Sequence, residues 1–559
     1  MKAMKQSKHF SRFNFKDRIS PKQFKEFESR YETFAEIPTV SAGFFANDEE
    51  HKVSAVHIVK SQKNVRHQMT RKLLETYTET ANGWQRVPWL WDVGSTAIYP
   101  SPSRRKLAKI TKITASSKGK GTSSGDKVSV IEIYDDQQLI DTVYPPAGSF
   151  GDIYKSIPFE GVSWNKEEDL IAFIAERAAP KTTSFFNEKT QIQRHKVTAP
   201  NGDGGAEDDD SAKDAVFGHK FDFKESFGEQ ADGASSTTLF LYDLTTKKLF
   251  DFDDDDGGGL FPDDVVLSEC QFDPNDSSTL CLVSLSTSPR RMGTRFYNSR
   301  PSKLWRLRLP SSIAAQSELS SPALTRLAVT DCSPQNVRFS PSGQKLVYFS
   351  TENTFSHLAP VRLRTMKWPP SMAEEQKGGD DGDGGVETVI DIPSGSEVTA
   401  RSVIEEGAFP GIWCYGGVPS RCWLDEHRMV INSLCGHVWG SLLIDFRHKS
   451  AVKMHEFAEI EDHFKGSIPT EIARNFMVLD MDRGSGNVLF MTSSIQRGHT
   501  VDIFNVGTKT VSPLTTTIDP LRHRGDARKL IEAISSIETK LFRHEVPRDD
   551  DDDGDGDHN

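Results

Sequence analysis

One short pattern recurs six times along this chain, and it limits the fold more than any other feature. It runs from an aromatic residue near a turn, through a Ser-Pro or acidic corner and a polar loop, into a short apolar strand. The clearest copy is Val337–Ser350 (VRFSPSGQKLVYFS), followed by Val162–Phe173 (VSWNKEEDLIAF) and Cys270–Val283 (CQFDPNDSSTLCLV). Weaker copies are Tyr99–Lys109, Cys422–Asn432 and Leu479–Met491. After a variable gap, most copies lead into a strand with period-two alternation: Val128–Tyr134, Thr238–Asp243, Leu304–Leu309, Leu442–Phe446 or Val501–Val506. A turn such as Leu244–Lys248 or Val506–Thr510 then follows. Strand, turn, strand, loop, strand, turn, strand is the four-stranded blade of a β-propeller. The fold class expected is therefore all-β, a propeller of seven four-stranded blades. Six blades come from the copies, and strands within Ser54–Tyr77 could supply the seventh, with six as the alternative count. The competing reading is a two-sheet sandwich with accidental Ser-Pro corners.

Copies recur at intervals of about 57 to 108 residues, longer than the roughly 40 to 50 of common blade repeats. Ser/Gly/Lys-rich Ser116–Lys127 and Gly/Asp-rich Asn201–Asp210, Asp253–Gly259 and Lys377–Gly385 account for much of the excess as loop insertions. They are too polar to offset their ordering entropy, and disorder is expected there. Helical periodicity is confined to two places. Lys22–Phe34 carries Phe24, Phe27, Tyr31 and Phe34 on one stripe behind a Ser20-Pro21 start signal. Gly525–Ile537 holds Leu530, Ile531, Ile534 and Ile537.

The 559 residues, with 36% hydrophobic, supply a sizeable core, while a mean hydropathy of -0.51 and the lack of a long apolar run argue against a membrane span. The net charge of -12 includes seven aspartates in the tail Asp549–Asp557; without them it is about -5, which gives no reason to expect nucleic acid. Six cysteines without a C-x-x-C pair read as free thiols in a reducing compartment, and a cytoplasmic location is expected. The N-terminus is basic and lacks an apolar core, so it is no secretory signal; an organelle transit peptide is the alternative.

Several blocks resemble the N-terminal propeller of acylaminoacyl-peptidases, of the prolyl oligopeptidase family. Phe159–Phe186 carries the Gly-x-Ser-Trp turn, an Ala-Glu strand end, a Pro-Lys pair and a closing Ser-Phe-Phe. Gly218–Glu229 is similar to a family segment ending Trp-Gly-Glu, with Phe227 in place of Trp. Gly293–Trp305 and Gly411–Trp423 resemble the Gly-x-Arg-Phe-x-x-Asn-Arg-x-Ser and Gly-Ile-Tyr-Cys…Cys-Trp blocks. The blocks keep the family's order, and the resemblance runs from about Phe24 to Pro547. It implies a seven-bladed propeller joined to an α/β-hydrolase that removes N-acylated residues from short peptides. No βαβ pattern remains here for that domain, so the C-terminal α/β-hydrolase is expected to be absent from this chain. The expected layout is 1–50 an N-terminal extension with a helix, 51–520 the propeller, and 521–559 a shortened linker with an acidic tail.

Candidate chemistry is sparse. Gly121-Thr-Ser-Ser-Gly125 matches a nucleophile elbow in letters, but a strand and not a helix follows it, so Ser123 reads as linker. Asp251, Asp253 and Asp255 begin like a calcium loop, but Asp256 and Pro262 stand where Gly and Glu belong. His427, His437, His448, His455 and His463 lack metal-ligand spacing. Arg295 and Arg300 beside Phe296 and Tyr297 could face a carboxylate, though ion pairing within the propeller is the favoured reading. Trp413 and Tyr415 read as blade-packing aromatics. No catalytic, metal-binding or cofactor-binding residue is expected, and no cofactor.

Two functions fit. In the first, the chain is the non-catalytic propeller of an acylaminoacyl-peptidase-like enzyme and gates the access of N-acylated short peptides. Its exposed face then binds a hydrolase domain or itself, and the aromatic helix belongs to that face. In the second, it is a free-standing propeller that scaffolds other proteins.

Overall fold

In the computed structural model, residues 20–46, 54–114, 127–177, 236–252, 260–310, 322–351, 359–370, 385–393, 409–457 and 475–516 are described apart from short breaks, with a few isolated positions beyond them. They form a seven-bladed propeller. Blade I pairs Thr39–Phe45, Ala55–Asn64, Met69–Thr80 and Gly83–Arg86 in that order, with Trp91–Asp92 beside the third strand. Blade II is Ala97–Pro100, Lys106–Thr114, Lys127–Asp135 and Gln138–Val143. Blade III has a first strand in two pieces, Phe150–Ile153 and Val162–Trp164, then Leu170–Arg177, Thr237–Asp243 and Lys248–Asp251. Blade IV is Val265–Phe272, Thr279–Ser286, Ser302–Arg308 and Ala323–Arg326. Blade V is Gln335–Phe339, Lys345–Ser350, Arg362–Lys367 and Val386–Ile390. Blade VI is Arg428–Cys435, Val438–Asp445 and Ser450–Lys453, with a bridge from Trp423 to Met429 at its leading edge. Blade VII is Asn475–Asp482, Asn487–Ser493, Thr500–Asn505 and Thr510–Thr516.

The sequence repeat is the first hairpin of each of blades II to VII. Ser101–Lys106 and Ser340–Lys345 close with the same bond, the Ser amide to the Lys carbonyl, at 2.9 Å in both. The fourth position of this turn has positive φ: 69° at Gly343, 68° at Arg104 and 58° at Glu168. At 343 glycine also avoids a clash, since a Cβ there would run into Asn275 Nδ2. Blade I takes its first strand from Thr39–Phe45, ahead of the boundary expected at 51.

Each sheet is sandwiched, so inner strands such as Thr237–Asp243 and Thr279–Ser286 are buried on both faces, while outer strands such as Ala323–Arg326 and Ser450–Lys453 are not. Separate clusters fill the spaces between neighbours: Ile110 and Phe173 between blades II and III, Leu241 and Leu282 between III and IV, and Val283 and Tyr348 between IV and V. The ring closes through Phe45, Ile58, Leu489 and Val501 between blades I and VII. No strand is shared across that seam among the described residues, and every blade is built from consecutive strands. Polar bonds reinforce it: the Val40 amide donates to His499 Nδ1 at 2.9 Å, and Lys60 Nζ to Thr515 Oγ1 at 3.2 Å.

These contacts orient the ring. Val40 and Thr515 lie at one end of blades I and VII, so the helix preceding Thr39 and the chain following Thr516 leave from one face, the terminal face. Phe45 and Asp480 lie at the opposite turn face, where the first hairpins turn.

Helix α1 (Pro21–Ala35) stands on the terminal face. Ser20 caps it reciprocally: its Oγ accepts from the Gln23 amide at 3.3 Å while Gln23 Oε1 accepts from the Ser20 amide at 2.9 Å. Pro21 sits at the first turn, where a missing N–H costs nothing. In the second expected helix, Lys529 and Ala533 are helical and exposed; most of Gly525–Ile537 lies outside the described residues. So do Asn201–Asp210, Asp253–Gly259, nearly all of Ser116–Lys127 and Lys377–Gly385, and the acidic tail. No helix among the described residues is long and apolar enough to cross a membrane.

Candidate docking face and channel end

The aromatic stripe of α1 is open to solvent. Phe24, Phe27, Tyr31 and Phe34 are 39, 61, 56 and 53% exposed. The helix is tied to blade I beyond its C-terminus: Gln62 Nε2 donates to the Glu36 carbonyl at 3.2 Å, and the Val65 amide to Glu36 Oε1 at 3.2 Å. Four large rings therefore project from an anchored helix on the face from which the chain continues. Such a surface is suited to burial against another protein layer.

The turn face is built differently. Asp480 of blade VII accepts two bonds from Arg421, Oδ2 from Nη2 at 2.6 Å and Oδ1 from Nε at 3.0 Å. Its Oδ2 also accepts the Phe45 amide of blade I at 2.8 Å, and Oδ1 accepts Arg104 Nη2 of blade II at 3.4 Å. The Asp480 and Arg104 side chains are 2 and 8% exposed, and Arg421 is 30% exposed. Burial lowers the Arg104 guanidinium to about 10, with Asp480 acting in the opposite direction. Blades II and VII are not neighbours, so these groups can meet only toward the channel axis, under the end of blade I. The cluster fastens four blades at one channel end. It holds a saturated carboxylate and charged guanidiniums, which suits ring closure and not proton transfer.

Turn-to-turn clasps continue around this face. Glu168 of blade III accepts from the Ser103 amide at 2.5 Å and from Ser103 Oγ at 3.0 Å. Glu426 of blade VI takes the Ser342 amide at 3.0 Å and Ser342 Oγ at 2.7 Å in the same manner.

A family model described as "Acylamino-acid-releasing enzyme, N-terminal domain" matches residues 14–446. The chain belongs to this family. Acylamino-acid-releasing enzyme 1 of Oryza sativa subsp. japonica is 24% identical over 486 residues, covering 83% of this chain and 55% of the rice protein. The Homo sapiens acylamino-acid-releasing enzyme is 25% identical over 323 residues, covering 56% of this chain and 37% of its own length. The chain thus spans about half the length, or less, of these relatives. Pyrococcus horikoshii acylaminoacyl peptidase superimposes with a TM-score of 0.43 at 9% identity, over 87% of this chain and 53% of that one. The propeller assignment rests on the strand pairing.

Two blocks of the acylamino-acid-releasing enzyme N-terminal domain, far apart in sequence, meet on the terminal face. The Thr294 amide donates to the Phe227 carbonyl at 3.0 Å, and the Arg291 guanidinium lies 5.1 Å from the centre of the Phe227 ring. The Arg291 amide donates to Glu225 Oε2 at 2.9 Å. Arg300 is buried and its Nε donates to the Gly293 carbonyl at 2.6 Å, so it braces its own loop. Arg295, Phe296 and Tyr297 lie outside the described residues. Trp413 is half-buried; its amide donates to Ser433 Oγ and its Nε1 to the Pro410 carbonyl. Tyr415, Ser123, Asp253, Asp255, His437 and His463 lie outside the described residues, as does the side chain of His455. His448 Nδ1 pairs with Asp445, and the His427 amide donates to Asp425. No group of three metal-binding side chains comes together among the described residues.

Sequence reasoning missed Asp480, Arg104 and Arg421. The signal available was an arginine at the turn position where blade V has glycine, since a side chain held at positive φ marks a constraint imposed from elsewhere.

Proposed function

We propose that this chain is the non-catalytic propeller of an acylamino-acid-releasing enzyme, that it docks a hydrolase domain on its terminal face, and that it gates access of short N-acylated peptides. The observation that carries the reading is the α1 stripe, exposed on an anchored helix at the face from which the chain leaves. Family membership supplies the context, and a propeller channel suits gating because it admits extended peptides and excludes folded proteins. The buried thiols Cys270, Cys281, Cys422 and Cys435 are free, which supports a reducing, cytoplasmic setting.

The test mixes chain 1–559 with the separately produced hydrolase domain of a related enzyme and follows binding by calorimetry. Binding that is weakened about tenfold or more by Phe27→Asp or Tyr31→Asp supports the reading. A monodisperse monomer that binds nothing and is indifferent to both substitutions supports the free-standing scaffold instead.

A further inference from the structure

The turn face carries a cavity of about 230 Å3 between blades IV and V. Blade IV contributes Asp273 and Asp276 from its first turn and Arg306 and Arg308 from its third strand; blade V contributes Trp368 and Pro369. The carboxylates are fixed before any ligand arrives. Asp273 accepts the Asn275 amide at 2.8 Å and Trp368 Nε1 at 2.7 Å. Asp276 accepts the Ser278 amide and hydroxyl at 2.9 and 2.6 Å and the Thr279 hydroxyl at 2.7 Å. Burial pushes the Asp276 carboxyl up, but these bonds with the nearby Arg308 charge hold it below the usual range. Arg308 is exposed and forms no ion pair among the described residues, although its charge is felt at Asp276.

A cavity with both charge types and an apolar wall discriminates among ligands. A phosphate would face two fixed carboxylates, and an ammonium would face two guanidiniums. The C-terminal residue of a peptide offers a carboxylate, an amide N–H donor and an apolar side chain together, and it fits the volume. We propose that this cavity binds the C-terminal residue of a short peptide, with its carboxylate on Arg308, its amide N–H toward the aspartates and its side chain beside Trp368 and Pro369. The charge-assisted bond to arginine supplies the selectivity for a free C-terminus. This site lies on the face opposite α1 and stands whether or not a hydrolase domain docks on the α1 face.

The test titrates chain 1–559 with N-acetyl-Ala-Ala-Phe and with its C-terminal amide, by calorimetry. The acid is expected to bind saturably, and the amide about tenfold or more weakly. Arg308→Ala, a surface change that should leave the melting temperature unaltered, is expected to erase the difference between the two peptides, and Arg308→Lys to restore part of it. Equal binding of acid and amide, acid binding unchanged in Arg308→Ala, or no saturable binding of the acid would each overturn the proposal.

Discussion

Asp480 receives Arg421 side-on, with both carboxylate oxygens engaged by Nη2 and Nε at 2.6 and 3.0 Å, while the Phe45 amide shares the nearer oxygen. One carboxylate thereby serves three blades, and Arg104 brings in a fourth. Because no strand is shared across the seam between blades I and VII among the described residues, this cluster, the adjoining apolar contacts and the Val40–His499 and Lys60–Thr515 bonds carry ring closure. Asp480→Ala leaves Arg104 buried beside a second guanidinium, and a loss of about 3 to 5 kcal/mol is expected in urea unfolding. Arg421→Met should cost clearly less, because Arg421 is part-exposed. Equal costs would show that the Arg421 pairing, and not the burial of Arg104, sets the worth of this carboxylate.

Arg104 holds φ at 68°, where a side chain is strained by about 1 to 2 kcal/mol and glycine is not. Both Arg104→Ala and Arg104→Gly remove the guanidinium, but only glycine relieves the turn. Arg104→Gly is therefore expected to be the more stable of the two by about 1 kcal/mol, a reversal of the usual order. Chemical denaturation of the pair reads it directly.

The Ser342–Glu426 clasp should be measurable as a coupling between blades V and VI. A double-mutant cycle with Ser342→Ala and Glu426→Gln is expected to return an interaction energy of about 1 kcal/mol. Additive effects would show that the clasp contributes no coupling between these two blades.

Acid should weaken the molecule before its carboxylates titrate. Burial, with the Arg104 charge beside it, depresses His57 from 6.5 to about 4. His499, whose Nδ1 accepts the Val40 amide, is also lowered by burial. A folded pKa below the unfolded one means that the unfolded chain takes the proton first. The contribution is complete above the unfolded value and is lost as pH falls toward the folded one. The melting temperature is expected to be flat above about pH 6.5 and to fall between there and about pH 5, with a shallower fall in His57→Gln. A profile unchanged by that substitution would assign the acid response to other groups.

Chain 1–559 is expected to hydrolyse no acetyl-Ala chromogenic substrate and to take no label from a fluorophosphonate probe. The Gly121–Gly125 run lies outside the described residues, and a strand, Lys127–Asp135, follows it where a nucleophile elbow leads into a helix. A labelled serine, found by peptide mapping, refutes this.

The sequence by itself determined the blade. The Ser-Pro turns, the positive-φ position and the period-two strands act within about a dozen residues, so Val337–Ser350 could be read as a hairpin without its neighbours. Helix α1 was equally legible, because its cap and its aromatic stripe are local. The order of the family blocks also identified the architecture. Only the tertiary structure decided how blades meet. Asp480 and Arg104 are 376 residues apart, and nothing near either names the other. Arg300 could be read as facing a ligand until its loop closed on Gly293. The cavity at Arg308 exists only where two blades abut. Backbone preference is written residue by residue, whereas a charge finds its partner through ring geometry, which a linear pattern does not contain.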